Sequence, residues 1–441
     1  GSVRFALLVV PLSAALRVLS PGTAYSRCEA SRLTPRAVLM SDAQQTCDYL
    51  VVGAGASGMA FVDTLLLHAQ KPLSVVLLDR RAAPGGHWND AYDYVTLHQP
   101  CTNYGVESTK LQEGVTHPEL LASREQILAY YHGLLSRWQA DGKHRVTFVG
   151  GAAYDFEAGA YIADGASTPV QAATVVDARY TENDVPLRVP PRFGVADGVQ
   201  VIPPNELPQL TATDAAGGPE RRFCVLGAGK TGQDTVLYLR RALKVPVEQL
   251  AWVMPTDPWI TARDPPPPLK QHNCMELLES CLQAHAAAGS TPVDLLSKGF
   301  EAEEKDGRVY RISEAAPTKF MDATLNKAEV ALLRECAPSV IRSGGVRIAK
   351  LEADGALSFS DGSSVALPWA AEEAAGAVAT TFIHCTAGAF NFGASAAEPK
   401  RPVWGGEGGR KITVQEIYQF PGFCFNGAVI AWLEAQTHLS A

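Results

Sequence analysis

The stretch Tyr49-Leu50-Val51-Val52-Gly53-Ala54-Gly55-Ala56-Ser57-Gly58 decides how the rest of the chain is read. Four apolar residues suit a buried strand. The Gly-x-Gly-x-x-Gly that follows suits a tight turn into a helix, with bare backbone where a pyrophosphate approaches and close packing of helix on sheet. Such a helix start favours negative charge, because its first N–H groups are unpaired and its dipole points the right way. About 170 residues later the pattern returns as Phe223-Cys224-Val225-Leu226-Gly227-Ala228-Gly229-Lys230-Thr231-Gly232. One motif of this kind is weak; two, each between an apolar strand and an amphipathic run, point to two dinucleotides held by one chain.

Working outward, the first turn leads into a predicted helix over 57–68, with Met59, Val62, Leu65 and Leu66 on one face. A strand over 74–78 ends at Asp79, where a ribose-binding carboxylate belongs in a βαβ unit. A helix over 123–138 starts at a Ser123 cap, and strands follow over 145–149 and 174–178. A Pro-rich connector over 185–208 reaches the second turn, which continues as a helix over 231–243 and a strand over 250–254. Four prolines at 265–268 cannot be helical and mark a boundary. From there, 273–339 reads mostly as helices, with Met275, Leu277, Leu278 and Leu282 on one side. A hairpin over 346–351 and 356–359, a buried strand over 381–385 and a short helix over 428–435 complete the pattern. The expected fold is α/β, with two Rossmann-like three-layer dinucleotide-binding domains, the second inserted in the first, and a helical insertion. The divisions are a leader (1–41), a first part of one nucleotide domain (42–185), the second domain (186–265), the helical insertion (266–345), and a return (346–441).

Composition narrows the function. The chain has 441 residues, 46% hydrophobic and 19% charged, which is ample for a core. A net charge of −8 and the lack of a basic patch with interleaved aromatics give no sign of nucleic-acid binding. Nine cysteines are scattered without a C-x-x-C pair or metal-ligand spacing, so no metal site, disulfide framework or redox disulfide is expected. The leader has Arg4, an apolar run over 5–16 too short to span a bilayer, then Arg17, Arg27, Arg32 and Arg36 among hydroxyl residues. That composition suits targeting to a plastid or mitochondrion or to the secretory route, with Met40 as an alternative start in a cytoplasmic protein. No membrane span is expected in the mature chain.

Beyond Asp79 comes Gly85-Gly86-His87-Trp88. The glycine fingerprint, the acid and this Gly-Gly-x-Trp together resemble the FAD half of flavin-containing monooxygenases and their two-dinucleotide relatives. The second fingerprint resembles their inserted NAD(P)H domain, and Cys385-Thr386-Ala387-Gly388 resembles the late strand that returns to the FAD site. The resemblance covers nearly all of the chain after Met40. It implies FAD at Gly53, Gly55, Ser57, Gly58, Asp79, Arg80, Gly86, His87, Trp88 and Gln99, with Thr386 and Ala387 closing on it. It implies NADPH, with NADH admitted, at Gly227, Gly229, Lys230, Thr231, Gly232 and Arg263. In the family the segment after the Gly-Gly-x-Trp runs beside the flavin, which makes His98 and Asn103 the candidates for direct catalytic contact. Plainer readings stand beside these: Trp88 as a core aromatic, His98 as a structural histidine, Lys230 as a solvated helix-start residue, Arg263 as a partner of Asp257 or Asp264.

Two departures shape the expectation. Selecting a 2′-phosphate takes a cation after the second strand, and this chain has Pro255-Thr256-Asp257-Pro258-Trp259 there, with no Arg before Arg263. The family's F-x-G-x-x-x-H stretch is incomplete: Phe193-Gly194 is present, but no histidine lies in 190–204. The resemblance implies a monooxygenase in which NAD(P)H reduces FAD, and molecular oxygen, carried as a flavin C4a-(hydro)peroxide, is inserted into a small-molecule substrate. The alternatives are an NAD(P)H:acceptor reductase or flavin dehydrogenase without oxygen insertion, and a non-catalytic redox sensor. The oligomeric state stays open, a homodimer included.

Overall fold

In the computed structural model, residues 45–101, 104–111, 120–179, 185–213, 220–269, 279, 292–387, 401–415 and 423–438 are described. The leader and Asn103 lie outside them.

The first glycine turn sits on an eight-stranded sheet. Its spine is β1 (Gln45–Val52) flanked in parallel by β2 (Ser74–Asp79) and β6 (Ala166–Asp177). Beyond β2 lies β3 (Arg145–Gly150), and beyond β6 lie β20 (Lys411–Thr413) and β19 (Trp404–Gly405). The register sets Val52 beside Leu78 on one side and Asp177 on the other, so the three strands end together. One face carries α1 (Ala56–His68), α2 (Arg124–Ala140) and α8 (Phe423–His438), with Phe61, Leu65, Tyr131 and Ile430 buried between them. The other face is covered by the antiparallel annex of β4 (Ala152–Asp155), β5 (Ala160–Ala163) and β6, over Leu50, Val52, Val76 and Leu78. The expected Ser123 cap is present as a full capping box: its hydroxyl accepts from Gln126 N, and the Gln126 side chain accepts from Ser123 N.

The second glycine turn sits on a five-stranded sheet in the order β14-β10-β9-β18-β8, parallel throughout. These are β8 (Gln200–Ile202), β9 (Glu220–Leu226), β10 (Leu250–Met254), β14 (Val340–Arg342) and β18 (Val378–His384). Because all of them fall between β6 and β20, the second unit is inserted in the first. Helices α4 (Lys230–Arg241) and α6 (Lys327–Glu335) belong with the apolar layer on one face of the sheet. On the other face Leu226 and Phe382 pack with a small sheet of β7 (Gly194–Val195), β15 (Ile348–Leu351), β16 (Leu357–Phe359) and β17 (Ser364–Val365). Short helices α3 (Leu207–Thr213) and α7 (Ala370–Ala374) fill connections.

The stretch read as mostly helical over 273–339 is mixed where it is described. Helix α5 (Pro292–Lys305) and α6 are there, but so are β12 (Val309–Tyr310) and β13 (Lys319–Leu325), which flank β11 (Pro258–Ala262). Strand β13 pairs with β11 across some sixty residues and with a register irregularity, so nothing local announces it. Met275, Leu277, Leu278 and Leu282 lie outside the described residues. Among the described residues no helix is long and apolar enough to cross a membrane, and no His/Cys/Asp/Glu group is arranged to hold a metal.

Candidate active site

At the first turn Gly53 adopts φ +112°, and a Cβ added to Gly58 would stand 1.8 Å from the Gly53 carbonyl oxygen. Only glycine lets α1 start this close to the strand. The Gly-Gly-x-Trp loop folds back onto the same spot. Gly85 N donates to Ala54 O at 2.8 Å, and a Cβ on Gly86 would lie 2.7 Å from Gly55 Cα. Gly55, Gly85 and Gly86 thus bring no side chain to the start of α1, whose first N–H groups suit an anion, so the residues present fit a pyrophosphate.

Asp79 is buried and caps this turn from below: one oxygen accepts from Ala54 N at 2.7 Å, the other from Arg81 N at 2.8 Å. Its neighbour Arg80 is exposed. Sequence reasoning passed over Arg81, whose Nε donates to Asp90 at 2.6 Å, and Arg188 of the connector, which holds the other Asp90 oxygen at 2.7 Å. Burial alone would raise the Asp90 carboxyl, but these two guanidinium groups hold it below the usual range. A cavity of about 480 Å³ lies here, with Arg80, Arg81, Asn89, Asp90 and Arg188 in its wall.

Trp88 is buried in the core, and its indole N–H donates to Tyr104 Oη at 3.0 Å; the Tyr104 and Tyr131 hydroxyls are 2.7 Å apart. The core aromatic reading thus describes the position of its ring. His87 stacks on Trp88 at 5.2 Å. Burial first, then the Arg81 charge, pull its imidazole down to about 4, with Asp90 opposing.

The second turn repeats the first: φ +122° at Gly227, and a Cβ on Gly232 would be 2.2 Å from Gly227 O. At Gly229, among the described residues, only Met321 Cε, 4.0 Å away, approaches the missing Cβ at the start of α4. Lys230 is ion-paired with Asp234. Thr231 O accepts from Thr235 Oγ1 at 2.8 Å.

The segment after Trp88 docks on this second unit. Tyr92 Oη donates to Asp234 at 2.8 Å, the Tyr94 and Thr235 hydroxyls are 3.2 Å apart, and Tyr94 stacks on Tyr238 at 4.0 Å. His98 O accepts from Arg263 Nε at 3.2 Å. Sequence predicted Arg263 as an anion partner or a partner of Asp257 or Asp264. Instead its side chain is 1% exposed, and it bonds Glu329 at 3.0 Å and Thr324 O at 3.1 Å. Through the His98 carbonyl it anchors the segment that follows Trp88.

His98 is half-buried, and its Nδ1 is enclosed without a hydrogen-bond partner. Burial, helped by the Lys230 and Arg263 charges, pulls the ring down to about 3, so it is neutral at pH 7. Gln99 is half-buried beside it. Asn103 lies outside the described residues.

Thr386 and Ala387 need correcting. Strand β18 joins the second sheet beside β9, and a Cβ on Gly227 would be 2.7 Å from Cys385 O, so the Cys-Thr-Ala segment lies at the second turn. Thr386 Oγ1 lies 2.8 Å from His384 Nδ1, whose other nitrogen is 3.3 Å from Val189 O. Ala178, after β6, has the equivalent place at the first turn: a Cβ on Gly53 would be 3.2 Å from its oxygen.

These two linked units define the fold class, an α/β chain of two Rossmann-like domains with the second inserted in the first, and comparison with known proteins agrees on that fold. A model of the NAD(P)-binding Rossmann-like domain matches residues 51–106. Open cyclohexanone monooxygenase superposes with a TM-score of 0.52 at 14% identity, covering 89% of this chain and 88% of that one. Oxidized steroid monooxygenase bound to NADP gives 0.50 at 14% identity, covering 89% and 84%. In sequence, uncharacterized proteins of Mycobacterium tuberculosis and Mycobacterium bovis are each 36% identical over 321 residues, covering 68% of this chain and 55% of theirs. The chain thus spans about half the length of the curated relatives it matches.

Proposed function

We propose that this chain is an FAD-dependent, NAD(P)H-using oxidoreductase, and within that class a monooxygenase acting on a small organic substrate. The observation that carries the reading is the duplicated turn: two glycine turns of one build, joined by residues 92–98, which leave the first unit and dock on the helix of the second. The sheet built on β1 would hold the flavin, with its pyrophosphate at Gly53, Gly55 and Gly58 and the Gly85-Gly86 loop lying over it. The sheet built on β9 would hold the nicotinamide coenzyme at Gly227, Gly229 and Gly232. When bound, the flavin supplies hydride acceptance from nicotinamide and electron transfer to oxygen.

The chain's own residues would bind, orient and exclude water. Tyr92 and Tyr94 would fix the flavin-side segment against α4, and Arg263, paired with Glu329 of α6, would hold its His98 carbonyl. His98 brings a neutral imidazole to this segment, its enclosed Nδ1 without a hydrogen-bond partner, so it adds no charge there. A reductase without oxygen insertion is the second reading, favoured by the absence of a histidine in 190–204. The one that packs on this connector, His384, comes from β18, its ring edge-on to Phe193 at 6.0 Å.

Anaerobic mixing of the flavin-loaded protein with NADPH or NADH, followed by oxygen, tests this. Flavin bleaching, then recovery with an oxygenated product in a substrate screen, is the expected result. Recovery without product across that screen supports the reductase, and a flavin that neither nucleotide bleaches defeats the oxidoreductase reading.

A further inference from the structure

Folding puts a cation where the sequence shows none. Strand β10 exits through Pro255 and Thr256 to Asp257, which is 6% exposed. Strand β14 runs parallel beside β10, with Arg342 level with Met254. On the other side of β10, Val253 O accepts from Gly227 N at 2.9 Å. Arg342 therefore stands about 10 Å, two strand spacings, from the start of the second glycine turn, on the same carboxyl edge of the sheet. In an open α/β sheet a nucleotide whose pyrophosphate sits at that turn lays its adenosine ribose over this edge.

The side chains there are wired together. Arg342 Nε donates to Asp257 Oδ2 at 2.8 Å, and Nη2 donates to Asp257 Oδ1 at 3.0 Å and to Ser313 Oγ at 2.7 Å. Ser313 Oγ in turn donates to Asp257 Oδ1 at 3.1 Å. The carboxylate is buried and occupied on both oxygens, so it is poorly placed to accept from a ribose diol. The Arg342 side chain is 32% exposed, and among the described residues its Nη1 has no partner. A guanidinium clamped along one edge by a carboxylate, with the N–H groups of Nη1 left over, can donate to a phosphate.

We propose that Arg342, oriented by Asp257 and Ser313, binds the 2′-phosphate of NADPH and sets the coenzyme preference. This rests on the assignment of the second glycine turn to a nicotinamide dinucleotide. The test is direct binding of 2′,5′-ADP and 5′-AMP, by calorimetry, to the flavin-loaded wild type, Arg342→Met and Arg342→Lys. The expected result is that the wild type prefers 2′,5′-ADP, that Arg342→Met weakens it about tenfold or more with 5′-AMP affinity unchanged, and that Arg342→Lys falls between. Unchanged 5′-AMP binding also shows that the variants are folded. Equal weakening of both ligands, no weakening of either, or a wild type that prefers 5′-AMP overturns the assignment of Arg342. A wild type that binds neither ligand removes the nicotinamide site itself, and the proposed function with it.

Discussion

The two nucleotide units solve the same backbone problem and differ in what closes over the turn. In each, the first glycine takes a positive φ and the third lets the helix touch that first glycine's carbonyl, at 1.8 Å and 2.2 Å from a hypothetical Cβ. At the first turn the cover is local: Asp79 from the adjacent strand and the Gly85-Gly86 loop a few residues on. At the second it is borrowed: Tyr92 from the first unit engages Asp234, and the acid after β10 turns to Arg342. A self-contained site suits a tightly kept group, and one built partly from its neighbour suits a ligand that exchanges.

The sharpest way to break that comparison is to spoil each turn separately. Gly58→Ala is expected to yield protein without bound flavin, seen as loss of visible absorbance. Gly232→Ala is expected to stay yellow while weakening 5′-AMP by more than about 100-fold, or ~2.7 kcal/mol. Loss of flavin from both would show that the units are one cooperative site. Removing the buried anchor comes next. Glu329→Ala removes the carboxylate that the buried Arg263 bonds, which costs about 3–5 kcal/mol and is read by urea denaturation. A change under about 1 kcal/mol would mean the pair does not hold the units together.

Acid should loosen the contact between the units in a defined window. His98 and His87 have folded pKa values of about 3 and about 4, below the 6.5 of a free imidazole. The unfolded chain therefore binds more protons between pH 6.5 and those values, so stability is full above pH 6.5 and falls on acidification. Urea midpoints measured from pH 7 to pH 4 should decline, and His98→Asn should flatten part of that decline; an unaltered slope would place His98 in solvent. The smallest expected effect is that of Tyr92→Phe, about 1.5–3 kcal/mol for the hydrogen bond to the Asp234 carboxylate, measured by the same denaturation. If this variant instead abolishes reduction by NAD(P)H, the hydroxyl does more than fasten two units.

Much of the fold was legible because its signals are local. Strand, turn and helix around Gly53 and around Gly227 each follow from about fifteen consecutive residues, and Asp79 lies in the next strand. The Ser123 cap needed only its own four residues. The second site was less readable, because its groups converge from far apart: Arg342 is 85 residues from Asp257, and Arg263 bonds the oxygen of His98, 165 residues away. The pairing of β13 with β11 was hidden for the same reason. Thr386 was assigned to the wrong turn because both turns have a strand end beside the first glycine, and only the sheet order tells β18 from β6.

Helix α8 packs on α1 so closely that a Cβ on Gly427 would lie 2.3 Å from Ser57 O. During synthesis, then, the inserted sheet has all its strands once residue 384 has emerged from the ribosome, whereas the outer unit waits for its closing strand and final helix, more than 350 residues after its first. The strand that opens the outer unit is thus completed only when its last helix is made, and the site at Gly58 can mature only after residue 438 has emerged.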